Sequence, residues 1–203
     1  VERFIFSSFP LNTSMIYGWL MMLGGSFPAK LFNWHLLWLL AWLTFHLAGG
    51  GRPGRIASLL FLAVPVVWIH AAMAFAELLQ AAFVSAAFLP LLAWRDCPSG
   101  RMLVLSAVFI GFALGTKYQA AQALVPLAAC WAWTVRREGF FRVASSSLVV
   151  FILAAGTAGP WLAKNFLAMG NPVHPFLSGV IHGLENSSPW ITPERNGWTG
   201  LPM

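Results

Sequence analysis

Long apolar blocks separated by short polar turns run through residues 30 to 48, 56 to 72, 76 to 94, 102 to 116, 119 to 135 and 143 to 163. A helix needs about 20 apolar residues to cross the hydrocarbon core, fewer where the bilayer thins or a partner compensates. The pattern therefore predicts six spans, the fourth being the shortest. Ahead of the first block, Asn12 to Gly25 is apolar on most sides (Met15, Ile16, Leu20, Met21, Leu23) and stops at Gly24-Gly25. It is too short to span and predicts a helix lying on the outer face of the bundle. The expected fold is all-α: a polytopic transmembrane helical bundle of about six spans plus an outer-face amphipathic helix. Residues 1–29 form an outer-face segment, 30–163 the bundle, and 164–203 an outer-face loop or tail rich in Pro, Gly, Asn, Trp and His.

Charge then assigns sides. The turns at Gly49 to Arg55, Arg95 to Arg101 and Arg136 to Arg142 hold Arg52, Arg55, Arg95, Arg101, Arg136, Arg137 and Arg142, seven of the twelve basic residues. Basic loops stay on the cytoplasmic side. The turns at His70 to Ala76 and Thr116 to Gln119 must then face outward, together with both ends of the chain. This predicts an integral membrane protein, of a bacterial inner (plasma) membrane, with both ends on the outer face.

Composition agrees: 59% of residues are hydrophobic and 9% charged, against roughly 25% charged in an ordinary soluble domain. The net charge of +6 is spread singly or in pairs between apolar runs, so no nucleic-acid surface is expected. Cys97 and Cys130 are the two cysteines, one in a polar loop and one inside an apolar run, and a disulfide between them is not expected. No cleavable leader opens the chain at Val1, as expected of a sequence that begins inside a longer protein.

Trp34, Trp94, Trp131, Trp133 and Trp161 lie near predicted span ends, where an indole serves as a headgroup anchor or as packing, and Trp38 and Trp42 share one helix face. Ala107, Gly111 and Gly115 recur every four residues and should let another helix approach closely.

Polar residues at the outer ends of spans carry the candidate chemistry. Glu77 follows an outward turn and opens an apolar helix, a costly place that points to a cavity or a partner. The alternative is an interface carboxylate favoured by a helix N-terminus. Gln80 and Ser85 extend it into a weak polar stripe. Lys117, in Gly115-Thr116-Lys117-Tyr118, either snorkels to headgroups or holds a phosphate as a point charge; Tyr118 and Gln122 share a face beside it. Pro160 to Asn165 ends the last span. Asn171-Pro172 and His174-Pro175 then impose extended or turn conformations, making a shaped loop that puts Lys164, Asn165, Asn171 and His174 on the side of Glu77 and Lys117. A plain helix exit is the alternative there. Other signals carry little: Gly49 to Gly54 lacks the ending of a phosphate-cradling loop, and His35, His46, His70, His174 and His182 show no paired metal spacing. Asn12-Thr13-Ser14 and Asn186-Ser187-Ser188 are glycosylation sequons of a common type.

Taken in order, Phe9-Pro10-Leu11 with Met15, Leu23-Gly24-Gly25, Ala29-Lys30-Leu31, Gly115-Thr116-Lys117-Tyr118 with Pro126, Pro160-Trp161 with Lys164-Asn165, and Gly170-Asn171-Pro172-Val173-His174-Pro175 resemble the multi-span GT-C glycosyltransferases. The similarity is to the ArnT-like and protein-mannosyltransferase-like branch. The resemblance implies transfer of a sugar from a polyprenyl-phosphate donor to a lipid or glycan acceptor at the outer membrane face, with inversion. It implies donor-phosphate binding by Lys117, an organising role for Glu77, and substrate contacts from Tyr118, Lys164, Asn165, Asn171 and His174. Its general base, an acidic residue of the first outer loop, is expected upstream of Val1; Ser14 stands where many relatives carry Glu, and Glu2 does not resemble that acid. The resemblance fixes no cofactor with certainty and leaves a divalent metal open. Two other classes compete: a transporter or flippase for a lipid-linked or anionic solute, against which there is no inverted repeat, and a non-catalytic membrane protein.

Overall fold

The computed structural model describes residues 11–96, 99–136, 138–174, 176–177 and 180. The Phe9-Pro10 pair, Glu2, Cys97, Arg137, Pro175, His182 and the Asn186 sequon lie outside the described residues. Every regular element among the described residues is helical: α1 (Asn12–Gly24), α2 (Ser26–Leu47), α3 (Gly51–Leu62), α4 (Pro65–Ala72), α5 (Glu77–Asp96), α6 (Gly100–Leu114), a 3-10 helix (Tyr118–Ala123), α7 (Leu124–Val135) and α8 (Phe140–Met169). Described residues up to Ala158 belong to one compact unit and those from Gly159 onward to a second.

Among the described residues two helices are long and apolar enough to cross a membrane, Glu77–Arg95 and Phe140–Met169, and the bent pair α3 and α4 would make a third. The outer surface fits a hydrocarbon solvent: Met22, Leu23, Val125, Phe140, Phe141 and Phe151 are among its exposed residues. A water-soluble fold would not leave so much large apolar surface uncovered.

The expected blocks are helical, with four departures that have local causes. The block at 56 to 72 is broken, α3 and α4 meeting at 67°. Pro65 has no N–H and forces Val64 into an extended conformation (φ −81°, ψ 113°); the Trp68 indole donates to the Leu62 carbonyl at 2.6 Å, satisfying part of what the break exposes. Arg52 and Arg55 do not sit in an open loop but in the first turns of α3. Gly49, Gly50 and Gly51 all take positive φ (85°, 68° and 55°), which completes the reversal within three residues. Residues 118–123 form a 3-10 helix rather than the start of an α-helix; Pro126 has no N–H to donate to Gln122. Finally α8 runs past the expected end at 163 to Met169, so Lys164 and Asn165 are helical; Gly170 (φ 72°) stops it, its amide donating to the Phe166 carbonyl at 2.8 Å.

Helix α5 is common to all three core clusters of the larger unit. Leu78, Leu79 and Ala82 pack on Leu36, Leu37, Leu40 and Leu43 of α2 and Ala71 of α4. Ala87 and Leu91 pack on Ile110 and Ala113 of α6, Ala120 of the 3-10 helix and Leu127 of α7. Trp94 packs with Leu103 and Val135, and with Val143 of α8. The indole of Trp94 is thus buried in the bundle, 5.1 Å from that of Trp131, and Trp131 Nε1 donates to Ser147. For these two, packing rather than headgroup anchoring is the role. Trp133 is exposed, with the Arg136 guanidinium 3.6 Å from its ring. One turn ahead of Pro90 in α5, Ser106 donates to the Ala87 carbonyl at 2.8 Å, a side-chain hydrogen bond that ties α6 to α5. The small-residue row works as expected at Gly111: a Cβ there would lie 1.6 Å from Thr157 Oγ1 and 2.6 Å from the Ala154 carbonyl oxygen. Only glycine permits α8 to lie so close.

Candidate functional site

The turn at Gly115–Lys117 and the turn between α4 and α5 meet at one end of the larger unit. Gly115 receives the Asn12 amide at 3.1 Å, which docks the first turn of α1 on the end of α6. Thr116 is buried, its hydroxyl donating to the Phe112 carbonyl at 2.9 Å. This fixes the backbone from which Lys117 projects. Lys117 Nζ then donates to Glu77 Oε1, forty positions away in sequence.

The turn that leads into Glu77 is held by a buried polar cluster. Asn33, fully buried in an otherwise apolar stretch of α2, donates Nδ2 to the carbonyls of His70 (2.9 Å), Met73 and Phe75 (3.1 Å). Its Oδ1 accepts the Tyr17 hydroxyl, which also reaches the Phe75 carbonyl at 2.7 Å. One amide and one phenol thereby gather carbonyls that the last turn of α4 and the short turn after it leave without a helical partner. Burial pushes the Tyr17 hydroxyl up to about 12; the hydrogen bond to Asn33 acts the other way, and the nearby Glu77 charge adds to the rise.

The Lys117 and Glu77 side chains are 32% and 45% exposed, so the pair lies at the surface, within reach of an incoming group. An exposed pair contributes at most about 1 kcal/mol to stability. Its value is chemical: a cation kept in place by a carboxylate can exchange that carboxylate for a phosphate oxygen. Glu77, in the first turn of α5, remains favoured there by the helix dipole after the exchange. Tyr118 follows Lys117 as the first residue of the 3-10 helix, half-buried. Gln80 and Ser85 are half-buried and Gln122 is exposed.

Lys164, Asn165, Asn171 and His174 belong to the second unit. Lys164 is exposed, its ammonium 5.2 Å from the Trp161 ring; Asn165, Asn171 and His174 are buried. The Asn-Pro-Val-His segment is a built turn. Asn171 Oδ1 accepts the Val173 amide at 3.0 Å, its Nδ2 donates to the Phe176 carbonyl at 2.8 Å, and its own carbonyl accepts the His174 amide at 3.2 Å. The shaped loop expected from the two prolines is therefore organised by the asparagine between them and the helix.

Among the described residues no three His, Cys, Asp or Glu side chains stand close enough to hold a metal ion. The Glu77–Lys117 pair, one carboxylate already opposed by a cation, does not form a divalent-metal donor set.

Tyr17 and Asn33 are the residues that pattern-reading passes over. The available signal for Asn33 was an amide between Phe32 and Trp34 in an apolar run, a place where an unpaired amide is costly. No protein-family model matches this chain, nor does any curated protein or solved structure.

Proposed function

We propose that this chain belongs to a membrane glycosyltransferase of the GT-C kind, acting on a polyprenyl-phosphate-linked sugar at the outer membrane face. On this reading all six helical blocks are spans: α2, the bent pair α3 and α4, α5, α6, the 3-10 helix with α7, and α8. The Arg-bearing turns face the cytoplasm. The observation that carries the reading is the Lys117–Glu77 pair at the N-terminal end of a candidate span, seated on turns that side-chain hydrogen bonds hold in place.

Sugar transfer makes the anomeric carbon lose a polyprenyl phosphate. Negative charge grows on the departing phosphate, and a cation held beside it stabilises it most where that charge is greatest. Lys117 is placed for this role, and Tyr118 lies beside it. Glu77 holds the ammonium in position before the donor arrives and yields it to the phosphate. The acceptor hydroxyl needs a general base, which the resemblance assigns to an acidic residue of the first outer loop. Asn171 and His174 are the candidates in the second unit for contacts to the sugar or acceptor.

The test is sugar transfer from a polyprenyl-phosphate donor in membranes carrying the full-length protein. Lys117→Ala should lower transfer by 100-fold or more, on the order expected for removing one donor of a charge-stabilising site, while membrane insertion is unchanged. Lys117→Arg should retain part of the rate. Unchanged transfer by Lys117→Ala, or lipid flipping in proteoliposomes without any transfer, would overturn the proposal.

A further inference from the structure

The end of the larger unit opposite the Glu77–Lys117 pair contains a polar pocket. It is about 250 Å³ in volume, and Trp94, Leu103 and Val149 form its apolar wall while Arg142, Ser145 and Ser146 supply its polar groups. Trp94 closes α5, Leu103 lies near the start of α6, and Arg142 lies in the first turn of α8, so the pocket sits where two helices able to cross a membrane have their ends. Arg142 gives Nη1 to Glu138 Oε2 at 2.9 Å. A guanidinium has five N–H donors in a planar fork, which leaves several for another acceptor. The Ser145 hydroxyl makes only a long bond, 3.2 Å, to the Arg142 carbonyl, one readily exchanged for a stronger acceptor.

Charge and surface define the ligand. Arg95, Arg101, Arg136 and Arg142 fall in the helix ends and turns that bound α5, α6, α7 and α8, against the two acidic residues Asp96 and Glu138 in the same stretches, so the charge balance there favours an anion. Beside the pocket the surface is apolar: Phe140, Phe141 and Leu148 are 80%, 87% and 57% exposed. A free anion gains nothing from those side chains, whereas a molecule with a phosphate at one end and acyl chains at the other satisfies both features at once. Basic pockets between spans at a membrane edge bind anionic headgroups by this combination.

We propose that this pocket binds the phosphate of an anionic phospholipid, with Arg142 as the principal cation, Ser145 as a supporting donor, and the acyl chains lying along the exposed face of α8. Glu138 competes with the lipid for Arg142 and sets the affinity. The site is independent of the glycosyltransfer reading.

The experiment is native mass spectrometry of the full chain in neutral detergent, titrated with phosphatidylglycerol or phosphatidylcholine. Wild type should retain phosphatidylglycerol in preference to phosphatidylcholine. Arg142→Ala should weaken phosphatidylglycerol binding about fivefold, and Arg142→Lys should fall between, since it keeps charge but loses the fork. Glu138→Gln should tighten binding. Should Arg142→Ala fail to fold, the opposite directions expected of Arg142→Lys and Glu138→Gln decide the matter. Equal retention of the two lipids, or phosphatidylglycerol binding unchanged in the Arg142 variants, would refute the proposal. Displacement of the lipid by equimolar glycerol phosphate would refute it too, by showing a site for a soluble phosphate.

Discussion

Replacing Asn33 with leucine tests whether the buried amide holds the turn that carries Glu77. Leucine has the same heavy-atom branching at Cγ as asparagine, so it keeps the outline of the side chain, with bulkier methyl ends, while every hydrogen bond of the amide is lost. Wild-type Asn33 serves the carbonyls of His70, Met73 and Phe75 and receives the Tyr17 hydroxyl. In Asn33→Leu the Phe75 carbonyl keeps Tyr17 at 2.7 Å, whereas the carbonyls of His70 and Met73 lose their amide donor. At about 1 to 2 kcal/mol for each group so orphaned, the expected cost is about 2 to 4 kcal/mol. For a chain of this size about 3 kcal/mol corresponds to a Tm lower by about 6 to 12 °C. Tyr17→Phe, which removes one donor, should cost about 1 to 2 kcal/mol. Because the two side chains bond to each other, the double variant should cost at least about 0.5 kcal/mol less than the sum. Thermal unfolding of the purified protein in detergent, followed by tryptophan fluorescence, measures all three. A Tm for Asn33→Leu within 2 °C of wild type, on the scale set by that conversion, would refute the argument. So would strict additivity with Tyr17→Phe.

Two further outcomes follow from the packing and from the phenol. Gly111→Ala should destabilise by about 1 to 3 kcal/mol, and adding Thr157→Ala should recover only part of that, because the Ala154 carbonyl, 2.6 Å from the new Cβ, is backbone and cannot rotate away; full recovery in detergent unfolding would contradict this. With Tyr118→Phe in place Tyr17 is the last of the two tyrosines, and its tyrosinate absorbance should rise with a midpoint near pH 12 rather than 10. Since the folded value lies above the unfolded one, the stability linked to Tyr17 is complete below pH 10 and is lost as pH rises toward 12; a midpoint at 10 in the folded protein would show that the hydroxyl is not buried as described.

Much of the helical framework could be seen along the chain because its causes are local. Apolar runs, the Gly49-Gly50-Gly51 reversal and the prolines act within a few residues, and the expected blocks and the helices agree to within a few positions at most ends. Pro65 shows the limit. It marks a break in advance, but the 67° change of direction depends on what α3 and α4 pack against. Trp94 shows another: an indole near a span end can face headgroups or the bundle interior, and the neighbours that chose the interior, Leu103, Val135 and Trp131, come from other helices.

The same division runs through the candidate site. That Glu77 and Lys117 are charges at the edges of apolar helices was determined by the sequence alone, because it depends only on which residues flank them in the chain. That they pair with each other was decided by the tertiary structure, which brings α5 and the Gly115–Lys117 turn together across forty positions. Asn33 makes the point most sharply. Its need for partners was written in its own residue type, but their identity, the carbonyls of His70, Met73 and Phe75 and the phenol of α1, exists only once α1, α2 and the end of α4 with the turn before α5 meet. A hydrogen-bonding demand is a local property; its satisfaction is a long-range one.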